Sequence, residues 1–203
     1  MTPLPDLSQV KGFLSESEGN LLAKYASRGL DVGEALEIGS WCGKSAIYIA
    51  HEMAIHGRLL FCLDHHRGSE ENQPGWEWFD EDVWDEKAKA IDTLPHFRKN
   101  IREAGLEETV VALVGRSEKI GLIWKSVLGF LFLDGGHTMK TALADYRAWA
   151  GHVGAGGFLA IHDVFPDPAD GGRPPFEVCQ LAVNSGLFVQ VDQVESLVIL
   201  QRL

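Results

Sequence analysis

Five short apolar runs alternate with segments of helical spacing, and this alternation constrains the fold of the 203-residue chain more than any other feature. EALEIG (34–39), RLLFCLD (58–64), TVVALVG (109–115), GFLFLDGG (129–136) and FLAIHD (158–163) read as strands, each ending in or close to Gly or Asp. Between them KSAIYIAHEMAIHG (44–57), HFRKNIREAGL (96–106), SEKIGLIWKS (117–126) and MKTALADYRAWAGHV (139–153) read as helices, the last ended by GAGG. A leading helix is expected over LSESEGNLLAKYAS (14–27), where a Ser cap signal and early Glu residues precede apolar positions at helical spacing. Past a Pro/Gly/Asp loop (165–175), FEVCQLAVNSG is helical, and LFVQVD and SLVILQRL close the chain as a hairpin-like pair. Strands alternating with helices bury both faces of a parallel sheet, so the fold class is α/β, doubly wound. Sheets of this kind bind ligands beyond the carboxyl ends of their strands. Glu37, Gly39, Asp64, Gly115, Asp134, His162 and Asp163 fall there.

The length suits one large domain, residues 1–203, and 45% hydrophobic residues supply a substantial core. Eighteen basic against 29 acidic residues give a formal net charge of -11. That balance disfavours nucleic acid and anionic membrane as partners, because both require a basic surface. No apolar run approaches the length of a bilayer span, and the opening MTPLPDLSQVKGF lacks the charged and apolar regions of a signal peptide. Three widely spaced cysteines, Cys42, Cys62 and Cys179, with no CxxC, favour reduced thiols. A soluble cytoplasmic protein is expected.

The stretch EIGSWCGKS (37–45) ends in Gly-Lys-Ser as a phosphate loop does, but a phosphate loop needs four residues between its first Gly and the Gly-Lys pair. Only Ser40, Trp41 and Cys42 separate Gly39 from Gly43, and GxGxxG is absent as well. The spacing that fits is an acid, any residue, Gly, three residues, Gly, at a strand-to-helix turn. This resembles motif I of class I S-adenosylmethionine (AdoMet) methyltransferases. The resemblance covers roughly residues 14–203, leaving 65–95 unmatched, and implies a Rossmann-like methyltransferase fold with a mainly parallel seven-stranded sheet and an antiparallel terminal strand. It implies AdoMet as cofactor, held by Glu37, Gly39, Ser40, Gly43, Asp64, Ser117 and Asp134. Gly39 would admit the methionine part, Gly43 would let the next helix pack close, Asp64 would accept from the ribose hydroxyls, and Ser117 in VGRSEKI would meet the adenine. Lys44 is then a solvent-facing residue at the helix start.

The same turn is similar to that of catechol O-methyltransferase and its bacterial relatives, which use a divalent metal, and to the small methyltransferases with a DGxH turn and a terminal His-Asp. Here FLDGGH gives Asp134 and His137, and AIHDV gives His162 and Asp163. The resemblance implies a metal held by Asp134, His162 and Asp163, with His137 and Asp134 as the catalytic residues. Mg²⁺ prefers carboxylate and water, whereas an O,O,N set shifts the balance toward Mn²⁺, Fe²⁺ or Zn²⁺. Neighbouring His162 and Asp163 converge only where the strand has already ended. A neutral imidazole at His137 would accept a proton from a substrate hydroxyl. The catechol enzymes carry bulky residues where this chain has Gly135 and Gly136, so stacking on the adenine would fall to Trp41 or Trp124, with a plain core position as the more common role of each.

Residues 65–95, HHRGSEENQPGWEWFDEDVWDEKAKAIDTLP, interrupt the alternation with charge, Gly and the aromatics Trp76, Trp78, Phe79 and Trp84. A loop of this length in a compact domain is commonly a lid or binding loop. It is expected to be a mobile cover over a small-molecule acceptor, with packing or a homodimer contact as the other reading. His65 and His66 are adjacent and diverge in an extended chain, so both are expected at the surface or behind a ligand. The expected activity is methyl transfer to a hydroxyl oxygen. The alternative is a non-catalytic AdoMet-binding or assembly subunit.

Overall fold

The computed structural model describes residues 4–203; positions 1–3 of the opening stretch lie outside the described residues. Helix α1 (Glu16–Arg28) starts at Ser15, whose hydroxyl accepts from the Glu18 N–H while the Glu18 carboxylate accepts from the Ser15 N–H. This reciprocal cap satisfies two donors that the first turn cannot pair internally. Then follow β1 (Glu34–Ile38), α2 (Lys44–Ile55), β2 (Leu60–Asp64), the two-residue strands β3 (Trp84–Asp85) and β4 (Ala90–Ile91), and α3 (Leu94–Glu103). The second half comprises β5 (Val110–Val114), α4 (Ser117–Gly121), β6 (Leu128–Leu133), α5 (Met139–Trp149), β7 (Val153–Ile161), α6 (Arg173–Asn184), β8 (Phe188–Val194) and β9 (Leu197–Arg202).

Seven strands form one sheet in the order β5-β2-β1-β6-β7-β9-β8. All run parallel except β9, which pairs antiparallel with both β7 and β8. The expected doubly wound sheet with an antiparallel terminal strand is therefore present, with the last strand inserted inside the edge rather than at it. Alternation along the central strands divides the core. Phe130 and Phe132 of β6 pack with α1, α2 and α3, while Leu131 and Leu133 face Trp149 of α5 and Val178 of α6. Both faces are dry, which is why β6 is a continuous apolar run rather than an alternating one.

Two boundaries differ most from the sequence reading: the helix read over 117–126 already ends at Gly121, and the other lies at GAGG. GAGG does not end a helix but belongs to β7, which starts at Val153. A Cβ on Gly157 would crowd the carbonyls of Leu128, Gly129 and Gly154 at 3.0 to 3.1 Å, so glycine there serves close strand approach, a use that sequence pattern does not separate from a turn. The strand order reverses between β1 and β6, which opens a crevice outside their carboxyl ends.

Candidate active site

Asp134 leaves β6 directly, its N–H donating to the Ile38 carbonyl at 2.9 Å, so the β1 and β6 ends stay in register at the crevice. Gly39 (φ 88) is the counterpart on β1. A Cβ there would overlap the Asp134 carbonyl, so the two turns approach this closely only because the residue is glycine. Strand β7 has ended by Ile161, and Asp163 adopts a left-handed backbone (φ 55). That turn removes the divergence of strand neighbours and brings His162 and Asp163 to the same side. His162 Nδ1 lies 3.1 Å from Asp134 Oδ1 and 3.6 Å from Asp163 Oδ1. Asp134, His162 and Asp163 each offer one ligand atom, all within 4.8 Å of one another. Two carboxylate oxygens and one imidazole nitrogen at that spacing fit a divalent cation.

Two further carboxylates reach the same cluster. Glu18 of α1, 3% exposed, has Oε2 at 3.3 Å from His162 Nε2. Glu71, in the segment after β2, has Oε1 at 2.6 Å from His137 Nδ1, while His137 Nε2 lies 3.3 Å from Asp163 Oδ2. The site is thus four carboxylates around two imidazoles. Burial alone would depress the His162 pKa, but Asp134, Glu18 and Asp163 outweigh it and hold the imidazole well above its ordinary range. Glu18 is held below the carboxylate range because His162 and its other donors outweigh its own desolvation. His137 also moves up, burial being overcome by Glu71, Asp134 and Asp163. Asp163 is pushed up, chiefly by burial.

The residues expected at the cofactor form two groups. Gly39, Ser40, Asp64 and Asp134 meet at the crevice. Asp64 Oδ2 accepts from the N–H groups of Ser40 (3.0 Å) and Trp41 (2.9 Å), and Oδ1 from that of His66 (2.7 Å). A carboxylate has about four acceptor sites, so Asp64 braces the 39–41 turn and keeps about one site for a further donor. Glu37 lies beneath this turn, wholly buried, accepting from Ser45 Oγ on α2. Its Oε2 and the Ser40 Oγ have no hydrogen-bond partner among the described residues, which fits a ligand bringing an ammonium or another donor. Burial pushes the Glu37 pKa up to about 7. A Cβ on Gly43 (φ 92) would meet the Phe97 ring of α3 at 3.1 Å. Ser117 stands apart, its hydroxyl donating to Asp145 of α5, whose own pKa is pushed up to about 6 by burial. Trp124 packs edge-on against Phe61 and Trp41 joins the Cys42 cluster. Lys44 is half-buried, its Nζ 3.4 Å from the Gly12 carbonyl, rather than facing open solvent.

The 65–95 segment is more structured than its composition suggests. Residues 70–72 and 81–83 form single 3₁₀ turns, β3 and β4 pair antiparallel, and Val83 and Ile91 are buried against Cys42. His66 is 2% exposed with Nδ1 at 2.8 Å from Thr93 Oγ1, so the surface reading of the His pair holds only for His65. Trp76 and Trp78 remain exposed. Trp78 meets Phe13 edge-on, with ring centroids 5.3 Å apart, and Lys11 bridges Asp80 and Asp82 at 2.5 and 2.7 Å. Phe13 also lines a cavity of about 360 Å³ together with Glu18, His162, Asp163, Phe165 and Glu195.

Over residues 36–164, well beyond half of the sequence, the chain matches the family model described as a methyltransferase domain. It belongs to that family. Its fold is similar to those of three solved structures. The O-methyltransferase NovP is 17% identical, with 92% of this chain and 78% of that one covered and a TM-score of 0.68. The Bacillus cereus O-methyltransferase in complex with SAH is 18% identical, with 98% and 84% covered and a TM-score of 0.62. TomG from Streptomyces achromogenes, solved with SAM, is 17% identical, with 94% and 81% covered and a TM-score of 0.61. In this methyltransferase, sequence reasoning had singled out Asp134, His137, His162 and Asp163 but missed Glu18 and Glu71. Glu18 carried only a helix-cap signal, and Glu71 sits in a polar tract without periodicity.

Proposed function

We propose that this methyltransferase moves a methyl group from AdoMet to a hydroxyl oxygen of a small-molecule acceptor bound in the 360 Å³ cavity. The observation that carries this reading is the convergence of Asp134, His137, His162 and Asp163 beyond the β6 and β7 ends, beside the 39–41 turn. AdoMet supplies an electrophilic methyl: the acceptor oxygen bonds to carbon as the carbon–sulfur bond breaks, its electron pair returning to sulfur and the hydroxyl proton leaving to a base. His137 is that base. Glu71 accepts a hydrogen bond from Nδ1–H, which fixes the tautomer and leaves Nε2, 3.3 Å from Asp163 Oδ2, as the basic nitrogen beside the cluster. Asp134, His162 and Asp163 would hold a divalent cation, which lowers the pKa of the acceptor hydroxyl and orients it.

The cofactor residues are Gly39, Ser40, Gly43, Asp64 and Asp134, with Glu37 beneath the turn and Ser117 at the adenine end. The 73–79 part of the insert, with Trp76 and Trp78, is the cover of the acceptor site. Residues 1–203 act as one domain. Three buried, unpaired cysteines support a reducing, cytoplasmic setting, and no helix among the described residues is long and apolar enough to cross a membrane. Incubation with AdoMet and a panel of catechols, phenols and aliphatic alcohols, read by mass spectrometry for one added CH₂ and for S-adenosylhomocysteine, tests the reading. Methylation confined to amines, or no binding of AdoMet by calorimetry, would overturn it.

A further inference from the structure

Helix α1 lies 144 residues before His162 in sequence, yet its Glu18 is buried against that imidazole. Four donors converge on the two carboxylate oxygens. Oε2 accepts from the Ser15 N–H at 3.1 Å and faces His162 Nε2 at 3.3 Å; Oε1 accepts from the Ser196 N–H at 3.3 Å and its hydroxyl at 3.0 Å. A helix cap alone would need only the first of these contacts and would tolerate exposure. Instead Glu18 joins α1, the end of β7 and the turn between β8 and β9, where Glu195 (φ 50) takes the left-handed backbone just before Ser196.

Two of the four partners, the backbone N–H groups, can only donate, one to each oxygen. All four contacts are satisfied together when Glu18 is the acceptor-only carboxylate and His162 Nε2 carries the hydrogen it receives. The other ring nitrogen, Nδ1, is then the one aimed at Asp134 and Asp163. We infer that Glu18 is the positioning residue of the cation site, holding the proton on Nε2 so that His162 presents Nδ1 as its ligand atom. Imidazole ligands are oriented in this way by a carboxylate on the far nitrogen, and losing it weakens metal affinity by about 10–100-fold. The inference rests on the proposed cation at Asp134, His162 and Asp163. It concerns how one ligand is aimed, not whether methyl transfer occurs.

Manganese(II) titrated calorimetrically into the chelator-stripped protein, and zinc added to histidine-¹⁵N-labelled protein, test it. The unaltered protein binds manganese, and zinc moves the His162 Nδ1 resonance while Nε2 keeps its proton. Glu18→Gln retains a side-chain acceptor for the cap, but its amide NH₂ must face one set of donors; its manganese Kd rises about 10–100-fold. Leu22→Ala loosens the same helix without touching the cluster; its Tm falls and its Kd stays unchanged. Equal affinity in Glu18→Gln, an equal loss in folded Leu22→Ala, or zinc on Nε2 would overturn the inference alone, and the nitrogen resonances decide it even if Glu18→Gln does not fold. Failure of the unaltered protein to take either cation would overturn the inference together with the cation reading, while AdoMet binding measured in the same samples reports on the methyltransferase separately.

Discussion

Glu37 is a carboxyl group with no exposure, one hydroxyl donor and an unpaired oxygen, an arrangement that costs stability when charged. Its pKa in the folded protein, about 7, lies above the ordinary carboxylate value, so between pH 4.5 and 7 the native state holds a proton that the unfolded chain has released. Stability therefore falls as pH rises through that window. Glu37→Gln removes the effect: in urea unfolding the ligand-free variant should gain on the unaltered protein from pH 5 to pH 8, by up to about 3 kcal/mol. AdoMet affinity should drop in the same variant, because the partner offered to the ligand is then a neutral amide. A constant difference across that pH range would show that Glu37 is not the group titrating. His137 obeys a different logic, since its task is in turnover. His137→Ala should lower kcat by about 10²–10⁴-fold with AdoMet affinity unchanged, and Glu71→Gln should lower it less, through the loss of tautomer control. Unchanged single-turnover rates in His137→Ala would place the base elsewhere.

At the scale of elements, the strand–helix alternation was legible because each strand carries its own signal: β6 is wholly apolar, and Ser15 with Glu18 announces α1. The insert was not, because β3 and β4 are two residues each and a two-residue strand has no period to read. That Asp134, His162 and Asp163 lie together at strand ends was legible from position, whereas their role as ligands came from the family resemblance. Glu18 and Glu71 were not legible, because their partners lie 144 and 66 residues away and only tertiary packing brings them together. The insert also divides mechanically. Its 83–91 part buries Val83 and Ile91 in a small core with Cys42, whereas 73–79 presents Trp76 and Trp78 to solvent and is tied down by Phe79 at the edge of that core, by Phe13, and by hydrogen bonds between Gln73, Trp78 and residues 67–72. Hydrogen exchange of the free protein should therefore find residues 73–79 fast and the β3–β4 pair slower, with 73–79 slowing once cofactor and acceptor are bound. Equal protection of both halves without ligand would make the whole insert a fixed part of the fold.

Across the whole molecule, the site draws on α1, the insert, the ends of β6 and β7 and the β8–β9 turn, so the proposed cation would tie together segments from residue 18 to residue 196. Without it, four carboxylates face two imidazoles in a protein that already carries a formal net charge of -11. A ligand that binds only the folded state adds stability by mass action, about 2.7 kcal/mol at a hundred times its Kd. For a chain of this size that corresponds to a rise in Tm of about 5–10 °C. Manganese added to the chelator-stripped protein should raise Tm by that amount, and AdoMet should raise it further. Asp163→Asn is the fitting control, because asparagine tolerates the left-handed backbone that Asp163 adopts but is a neutral and poorer ligand. In that variant the manganese shift should vanish while the AdoMet shift remains, and the metal-free form should be at least as stable, having lost one charge from an acidic cluster. A Tm indifferent to manganese, magnesium, zinc and iron(II) in the unaltered protein would show that hydrogen bonds from His137 and His162, and not a cation, hold the acceptor.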